Sequence, residues 1–392
     1  MYNASSAFHT AVANGAHQIA LLIFSDAVFT NKDINVTSGI EFNDYFNTEE
    51  DLTIGQALSN EISFSLFNDT GLLDNYGFGE FTATIGAQIG NETVSNAGTV
   101  QAQSASHTYV AYASSPYLKR DGSAVSSQPA YPVKTILIYD GIVYCRLSNG
   151  AVIGYKDSNG TTQSVSVNNF MKAQLAAWEG EGIAYTKASG ENYKLRIWKG
   201  TNKRTYEFVP LGVFNAERPN VPYVNEIRMT CYDRMQRFET DMPNDEDLEI
   251  SYDGGGCTFS NLFTQMCSYL EVPFVSSTFI NSAAKYTTRP EAFDNATMRD
   301  VLQWIAEAAG SVARFDRDGR LKLDWLRTNN GSALQTIDEH GYSDFNPYWY
   351  ATKQVTELRN RAADGSYENS KGNGNETYLI QDNPLLKGVT GT

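Results

Sequence analysis

Residues that could carry out chemistry are few in this sequence, and their spacing matches no catalytic or metal-binding motif. The four histidines are scattered, and none forms an HExxH pair or stands beside a suitable cysteine or serine: His9, His17, His107 and His340. A metal site needs several ligands held together. We therefore interpret each histidine as a lone surface residue, and we expect neither a metal nor any other cofactor.

Cysteine chemistry has no better support. The spacings of Cys145, Cys231, Cys257 and Cys267 match neither a zinc site nor a dense disulfide framework. Cys257, in GGGCTF, has no evident histidine partner in the sequence, and no GxSxG nucleophile elbow is present. Because free cysteines are usually interior, we predict four reduced, mostly buried thiols in a protein made in a cytosol.

Three kinds of stretch resemble ligand sites, and each lacks an essential feature. DGGGCT (253–258) places glycines before a helix, as anion-binding loops do, but it has no P-loop lysine. DRDGR (316–320) begins like a calcium loop, but its glycine comes too early and no glutamate closes it. The acidic runs TEEDL and NDEDLEI pair carboxylates, yet catalytic pairs normally come from separate strands. The sequence predicts no enzyme.

Composition favours a β-rich structure that does not bind nucleic acid tightly. The 392 residues are 41% hydrophobic, enough for two to four domains with buried cores. The 23 tyrosines and 20 phenylalanines outweigh a modest 19% of charged residues, which is typical of strands. A net charge of −15 opposes phosphate neutralisation, which depends on clustered lysine and arginine.

The two ends of the sequence lead to two expectations. The start lacks a basic region, and the first apolar run, IALLIF (19–24), is too short to span a bilayer. We therefore expect no secretory signal and no membrane anchor. Strands are predicted at 354–360 and 377–381, and a chain rarely stops on a strand with one neighbour. We expect the last β-domain to continue in a longer parent protein.

The first hundred residues alternate between strand-like and loop-like sequence. A short helix is predicted at 4–14, followed by two or three strands up to about residue 46. NEISFSLFN places Ile62, Phe64 and Leu66 on one face, as expected of a half-buried strand. The segment 91–106 is rich in Ser, Ala, Thr, Gln and Asn, and it is predicted to be a linker or exposed loop.

The next hundred residues contain a predicted β-meander. Asp-Gly at 140–141 and Asn-Gly at 149–150 and 159–160 supply the positive φ angles of tight hairpins. With a helix at about 167–178, the segment is expected to form a compact inserted module.

Two capped amphipathic helices follow about forty residues apart. Thr258 and Thr297 stand at the N-cap positions. The two apolar faces have the same spacing: Leu262, Phe263, Met266 and Leu270 in the first, and Val301, Leu302, Ile305 and Ala309 in the second. Helices of this length are marginal alone, so both must pack on β-structure. The pairing indicates either coincidence or two similar helix-plus-sheet units.

Aromatic side chains could form a recognition surface near the end of the sequence. NPYWYATK (346–353) and the tyrosines of the meander could stack on sugar rings. Tyrosine and tryptophan are also enriched in subunit interfaces, and we favour an interface.

Four stretches, taken in order, resemble one protein family. They are IGQALSNEISFSLFN (54–68), VPLGVFNAERP…VNEIRMTCYDRMQRF (209–238), YTTRPEAFDNATMRDVLQWIAEAAG (286–310) with its RFDRDGRLKL hairpin, and ETYLIQDNPLL (376–386). Their order is similar to that of the tail hub proteins of bacteriophages and prophages: the baseplate hub of contractile tails, and the N-terminal structural region of the tail-associated or tail endopeptidase-type proteins of long-tailed phages.

The resemblance implies an α+β, β-rich multidomain fold. It has tube-protein-like β-barrel domains, small helix-plus-sheet domains and the inserted β-meander module. The implied domains are the first half of a barrel at 1–95, the inserted module at 96–205, completion of the barrel at 206–240, the α+β part at 241–330, and the start of a second barrel at 331–392. The motif positions implied to be structural are Leu211, Gly212, Tyr232, Asp233, Asp300, Trp304, Tyr378, Asn383 and Pro384.

The function implied by the resemblance is that of a homotrimeric virion hub, made in the host cytoplasm, that joins the tail tube to the tip. Its implied partners are the distal tail or tail tube protein, a spike, fibre or receptor-binding protein, and the tape-measure protein. Some relatives carry a hydrolase after this region, but no such motif is present here. The alternatives are a carbohydrate- or receptor-binding tail-tip protein acting through residues 100–200, and a tail-associated cell-wall hydrolase.

Overall fold

The structure is a computed structural model. It describes residues 4–35, 37, 39–44, 54–74, 76–95, 99–112, 114–187, 189, 191–216, 220–223, 225–253, 255–325, 357–361, 367–368, 377–380 and 383–386. The aromatic stretch 346–353 and His340 lie outside these residues.

Within the described residues, the α-helices are α1 Ser6–Ala13, α2 Asn169–Ala177, α3 Phe259–Tyr269 and α4 Met298–Ala308. Short 3-10 helices cover Arg234–Glu239, Glu291–Asn295 and Pro384–Leu386. The strands of the first half are β1 Gln18–Phe24, β2 Val28–Phe29, β3 Ile40–Asn43, β4 Glu61–Phe67, β5 Glu80–Thr93, β6 Thr99–Gln103, β7 Thr108–Tyr112, β8 Leu118–Arg120, β9 Ser123–Ala124, β10 Val133–Tyr139, β11 Ile142–Leu147, β12 Val152–Lys156 and β13 Thr162–Gln163. Those of the second half are β14 Glu181–Thr186, β15 Tyr193–Lys199, β16 Asn202–Asn215, β17 Asn220–Tyr223, β18 Glu226–Asp233, β19 Cys257–Thr258, β20 Lys285–Tyr286, β21 Ser311–Phe315, β22 Leu321–Trp325, β23 Glu357–Arg361, β24 Tyr367–Glu368 and β25 Thr377–Ile380.

The chain divides into two compact units. Unit 1 consists of Met1–Gly39, Phe64–Leu211 and Arg218–Met229, and unit 2 consists of Ile40–Ser63, Gly212–Glu217 and Thr230–Thr392. The five implied domains and their boundaries stay a prediction.

The main sheet of unit 1 contains the predicted meander. Its strand order is β13-β12-β11-β10-β14-β15-β16, and β10 and β14 run parallel while β14 and β15 run antiparallel. β1 pairs antiparallel with β5, which in turn pairs with β16. The β10–β11 turn uses Asp140 at φ 47 and Gly141 at φ 70, as predicted from the Asp-Gly pair. The meander prediction is confirmed, and so is the following helix.

The prediction of a linker at 91–106 is wrong. β5 extends to Thr93, and β6 follows with Val100 and Ala102 buried. β6 passes so close to β14 that a Cβ on Gly182 would lie 1.5 Å from the carbonyl oxygen of Gln101. The segment lacks large apolar residues because two backbones approach each other here, and small side chains allow that approach.

Unit 2 contains both predicted capped helices. The Thr258 side chain accepts a hydrogen bond from the amide of Asn261, and Thr297 forms a reciprocal capping box with Asp300. The predicted apolar faces pack into one core, in which Leu262, Phe263, Met266, Val301, Leu302 and Ile305 are buried. The predicted caps and apolar faces are therefore confirmed.

The two helices are not repeats of one structural unit. The first lies between the strands of its own small sheet, in the order β19-α3-β20, whereas α4 precedes the β21–β22 hairpin. Between α3 and β20, the strand pairing seen among the described residues is one isolated bridge, between Phe274 and Leu321. The similarity between the helices therefore reflects shared capping and packing, without a shared topology.

The protein is an α+β, β-rich molecule with several sheets and few helices. No strand pairing among the described residues closes a sheet into a barrel. All four cysteines are free and buried, as predicted, and burial raises the pKa of the Cys145 thiol. Within the described part of the chain, no helix is long and apolar enough to cross a membrane.

Candidate functional site: a motif junction and an apolar cavity

Asp233 lies at the centre of a junction in unit 2 between two stretches that are far apart in sequence. It ends β18, is 2% exposed, and accepts hydrogen bonds from the amides of Asn60 at 2.8 Å and Met235 at 3.0 Å. The hydroxyl of Ser59 donates to the same carboxylate at 3.0 Å. Burial raises the pKa of Asp233 to about 6, while the amide hydrogen bonds oppose that rise. One carboxylate thus joins 59–60 to 233–235.

Arg299, in the first turn of α4, joins the stretch 54–68 to this helix. Its guanidinium donates to the carbonyl oxygen of Ala57 from Nε at 3.2 Å and from a terminal nitrogen at 2.7 Å, and it also pairs with Glu239. Close by, Gly55 has φ +81, and a Cβ there would meet Glu307 at 2.8 Å. A glycine is required at this position both for its backbone conformation and for the close approach.

Asn383 joins the stretch 376–386 to α4. Its side-chain amide donates to the carbonyl oxygen of Trp304 at 2.9 Å and to the carboxylate of Glu307 at 3.0 Å, and its oxygen accepts from the amide of Leu385. Asn383 is buried, and Pro384 begins the short helix that follows it. Burial raises the pKa of Glu307, and the hydrogen bond from Asn383 partly opposes that rise.

The remaining motif positions have separate local roles. Leu211 is half-buried in β16, and a Cβ on Gly212 would lie 2.8 Å from the ring of Phe214. Asp300 completes the capping box of α4, and Trp304 stacks on Phe293 with 6.2 Å between ring centroids. Tyr232 is 41% exposed, and Tyr378 belongs to β25.

The junction is suited to holding the fold together. The carboxylate of Asp233, the guanidinium of Arg299 and the amide of Asn383 all have protein partners, so their hydrogen-bonding groups are engaged within the fold. No group of three or more His, Cys, Asp or Glu side chains in the described part of the chain could hold a metal ion. The four stretches that carry the resemblance meet here through hydrogen bonds.

His107 departs from the prediction of a lone surface histidine. Its Nδ1 lies 2.7 Å from the carboxylate of Asp121, and its Nε2 lies 2.6 Å from the guanidinium of Arg120. The pKa of Asp121 is lowered, first by the amide of Thr108 and then by His107. Both ring nitrogens have side-chain partners. The imidazole therefore links Asp121 to Arg120 at the β7–β8 edge and is not placed to act as a base.

The second candidate site is a cavity of about 260 Å³ within unit 1. Its floor is one face of the sheet, because alternate residues of each strand point the same way. Ile183 and Tyr185 on β14 lie across from Ile197 and Leu195 on β15 in the antiparallel register. Its roof is formed by α2, which contributes Trp178 just beyond its last turn, and by the segment after β2.

The interior of the cavity is apolar and its mouth is charged. Lys199 and Glu181 face each other at 2.9 Å at the end of the ladder, where the Lys199 side chain is 71% exposed. Asn202 and Arg204 on β16 are also exposed at this end. These groups make one end of the cavity charged, and apolar strand positions line its floor. On the helical side the lining also includes the buried Gln174 and residues 30–32.

Tyr185 is the unusual residue of the interior. It is 4% exposed, and its ring stacks on Tyr193 with 5.0 Å between centroids. Among the described residues its hydroxyl has no hydrogen-bond partner, although the neighbouring Tyr139 donates to the carbonyl oxygen of Phe24 at 2.7 Å. Burial raises the pKa of Tyr185, so the phenol stays protonated.

The cavity was not predicted from the sequence, and the residues of the junction were predicted only as separate motif positions. The alternation in YKLRIWK (193–199) is typical of a strand. The cavity also needs β1, β10, β14, α2 and the segment after β2. The available signal was this run itself, in which Leu195 and Ile197 alternate with the charged Lys194 and Arg196.

Comparisons with known proteins do not identify the chain. No protein-family model matches the sequence, and no curated protein matches it. Among solved structures, Myxococcus xanthus glutaminyl cyclase is 13% identical with a TM-score of 0.18, over 38% of this chain and 68% of that one. BBS1N, solved in complex with ARL6DN, is 7% identical with a TM-score of 0.15, over 53% of this chain and 66% of that one. Scores this low define neither the fold nor the function.

Proposed function

We propose that the chain is a structural subunit of a bacteriophage or prophage tail, a hub that joins the tail tube to the spike, fibre or receptor-binding protein at the tip. One observation carries the proposal. The four stretches that resemble tail hub proteins are linked in unit 2 by Asp233, Arg299 and Asn383, although they are up to about three hundred residues apart in sequence. This meeting of the motifs supports a scaffold role.

The proposed assembly is a homotrimer in which tube-protein-like barrel halves are completed between subunits. Barrel strands that pair across subunits satisfy their edges by association. Such an interface is obligate and buries more than roughly 2,000 Å². Large apolar side chains exposed in unit 2 supply candidate contact surface: Tyr232, Tyr269, Val275 and Ile280.

The acidic composition fits a hub through which DNA passes. A net charge of −15 repels phosphates, so an acidic channel lets DNA move without adhering. The partners in this role are the distal tail or tube protein, the tip protein and the tape-measure protein, and the location is the virion.

Sedimentation velocity of the purified full-length chain tests the proposal. We expect a trimer at micromolar concentration and a ring in negative-stain electron microscopy. Tyr232→Ser should shift the chain toward monomer without changing its circular dichroism, whereas Tyr131→Ser, also at an exposed tyrosine but in unit 1, is the matched control. A stable wild-type monomer contradicts the hub. Clearing in a cell-wall zymogram would instead favour the hydrolase.

A further inference from the structure

The cavity of unit 1 is the interior of a curled sheet. The strands pair in the order β10-β14-β15-β16-β5-β1, and the two ends of this path meet where the Tyr139 hydroxyl donates to the carbonyl oxygen of Phe24 at 2.7 Å. Helix α2 covers the same side, since the Gln174 amide donates to the carbonyl oxygen of Val28 on β2 at 2.9 Å. A sheet that curls back on itself can enclose a small ligand.

The polar side chains on the helical side of the cavity are held by the protein. Gln174 also donates to the carboxylate of Asp33 at 3.0 Å, and the Thr30 hydroxyl donates to the same carboxylate at 3.1 Å. The side-chain oxygen of Asn31 accepts from the amide of Ala20 at 2.7 Å. These groups do not require a polar ligand, and the apolar strand positions that form the floor suit a hydrocarbon chain.

The charged end of the cavity carries an excess of positive groups, although the whole chain has a net charge of −15. Lys199 is paired with Glu181 at 2.9 Å. Lys32 and Arg204 also line the cavity, and both are exposed. Among the described residues, neither of these two side chains has a hydrogen-bond or ion-pair partner. Two free cations therefore border an apolar space.

The one carboxylate next to these cations is already engaged. Asp33 follows Lys32 in the sequence and accepts hydrogen bonds from Thr30 and Gln174. Burial raises the pKa of Asp33, which disfavours its charged form. Asp33 therefore offers Lys32 only part of a countercharge, and Arg204 lies on β16 opposite the apolar Ile197.

The size of the cavity limits the length of the ligand. A dry apolar cavity of about 150 Å³ accommodates benzene, so about 260 Å³ accommodates roughly ten non-hydrogen atoms. One hydrocarbon chain of this size fits, and a lipid with two long chains does not.

We propose that the cavity binds a single-chain carboxylic acid of about eight to ten carbons in its ionised form, with the chain between the sheet and α2 and the carboxylate at the mouth beside Lys32 and Arg204. The carboxylate stays in contact with water there, so the cost of burying a charge is avoided. This reasoning does not depend on the proposed assembly.

The first test compares three probes with the same hydrocarbon chain and different head groups: decanoate, 2-decanone and decylammonium. Saturation-transfer NMR and calorimetric titration with the full-length chain at low salt should show that decanoate binds about fivefold or more tightly than the ketone, and the ammonium most weakly. Added salt should reduce the advantage of decanoate, because it screens exposed charges.

The second test removes the cations singly. Arg204→Gln and Lys32→Gln should each weaken decanoate binding by about three- to fivefold and leave 2-decanone binding unchanged. The matched control is Lys156→Gln, at an exposed lysine of β12 that does not line the cavity. The control should leave the binding of both probes unchanged, which separates a local pairing from the general charge of the chain.

A third test locates the hydrocarbon chain. Leu195→Phe fills the interior and should reduce the binding of both decanoate and 2-decanone more than tenfold, and Ile183→Phe serves if the first variant does not fold. The inference is overturned if the folded wild type gives no saturation transfer to decanoate, or if decylammonium binds as tightly as decanoate. It is also overturned if a folded filling variant, or both charge variants, bind decanoate as the wild type does.

Discussion

The core around α4 in unit 2 and the core around Tyr185 in unit 1 are built from the same kinds of side chain but are packed differently. In unit 2, Leu302 and Ile305 are fully buried among the residues of both helices. In unit 1, Tyr185 and Leu195 are almost as buried, yet they border a cavity. Burial alone therefore does not distinguish a core that holds a fold from one that leaves room for a ligand.

Buried tyrosines make the contrast sharper. Tyr286 in unit 2 is surrounded by rings, with Tyr252 at 5.7 Å and Phe293 at 6.1 Å between centroids. Tyr185 has a stacked ring on one side and the cavity on another. The difference suggests that substitutions of similar size should have different consequences in the two cores.

The largest expected effect is a truncation in the packed core. Leu302→Ala removes a fully buried side chain of α4 and should lower the free energy of unfolding by about 3 kcal/mol. Urea denaturation measures the loss, and hydrogen exchange of α3 and α4 peptides localises it. Gln303→Ala, at the adjacent half-buried position, is the control and should change stability by less than about 0.5 kcal/mol. A small loss for Leu302→Ala would mean that this core is loosely packed.

Enlarging a side chain should cost more stability in the packed core than beside the cavity. Leu302→Phe overpacks α4 and should cost about 2 kcal/mol. Leu195→Phe adds the same volume next to the cavity and should change stability by less than about 1 kcal/mol. Denaturation midpoints of the two variants check this, and equal losses would contradict the contrast between the cores.

The pH dependence of stability should report on Asp233 at the motif junction. Burial raises its pKa to about 6 from an ordinary 3.8, so the folded protein binds this proton more tightly than the unfolded chain does. The resulting stabilisation is complete below the unfolded value and is lost as the pH rises through 6. Between pH 5 and pH 7, this carboxyl should therefore reduce stability by about 1 kcal/mol.

Asp233→Asn isolates that contribution. Urea denaturation at both pH values should show the wild type losing stability relative to the variant as the pH rises. The same pH slope in both proteins would mean that Asp233 does not titrate differently on folding.

The smallest expected effect distinguishes the two caps. Thr297→Ala removes a hydroxyl that accepts from the Asp300 amide and donates to the Asp300 carboxylate, and it should cost about 1 kcal/mol. Thr258→Ala removes a single cap hydrogen bond and should cost somewhat less. Hydrogen exchange of the first-turn amides of each helix measures both losses. The reverse order would show that the hydrogen bond from the Thr297 hydroxyl to the Asp300 carboxylate adds nothing.

Local features were predictable wherever a few neighbouring residues specify them. Thr258 and Thr297 were recognisable as caps, and Asp140 with Gly141 as a hairpin turn, because the donors, acceptors and φ angles involved lie within four residues. The segment 91–106 was mispredicted because its small residues serve the close approach between Gln101 and Gly182, which are far apart in sequence.

The candidate sites were predictable only in part for the same reason. Asp233 and Asn383 could be singled out as motif positions, but their partners, Asn60 and Glu307, could not. The phenol of Tyr185 was visible only as one aromatic residue among many.

The sequence by itself determined the acidic charge, the free thiols, the β-rich composition, the helix caps and the hairpin turns, because each depends on residue type or on immediate neighbours. Tertiary structure decided that four separated stretches meet around Asp233 and Arg299. It also decided that Tyr185 borders a cavity and that its hydroxyl has no hydrogen-bond partner among the residues the structure describes. Such arrangements depend on which strands and helices pack together across hundreds of residues, and no short stretch of sequence contains that information.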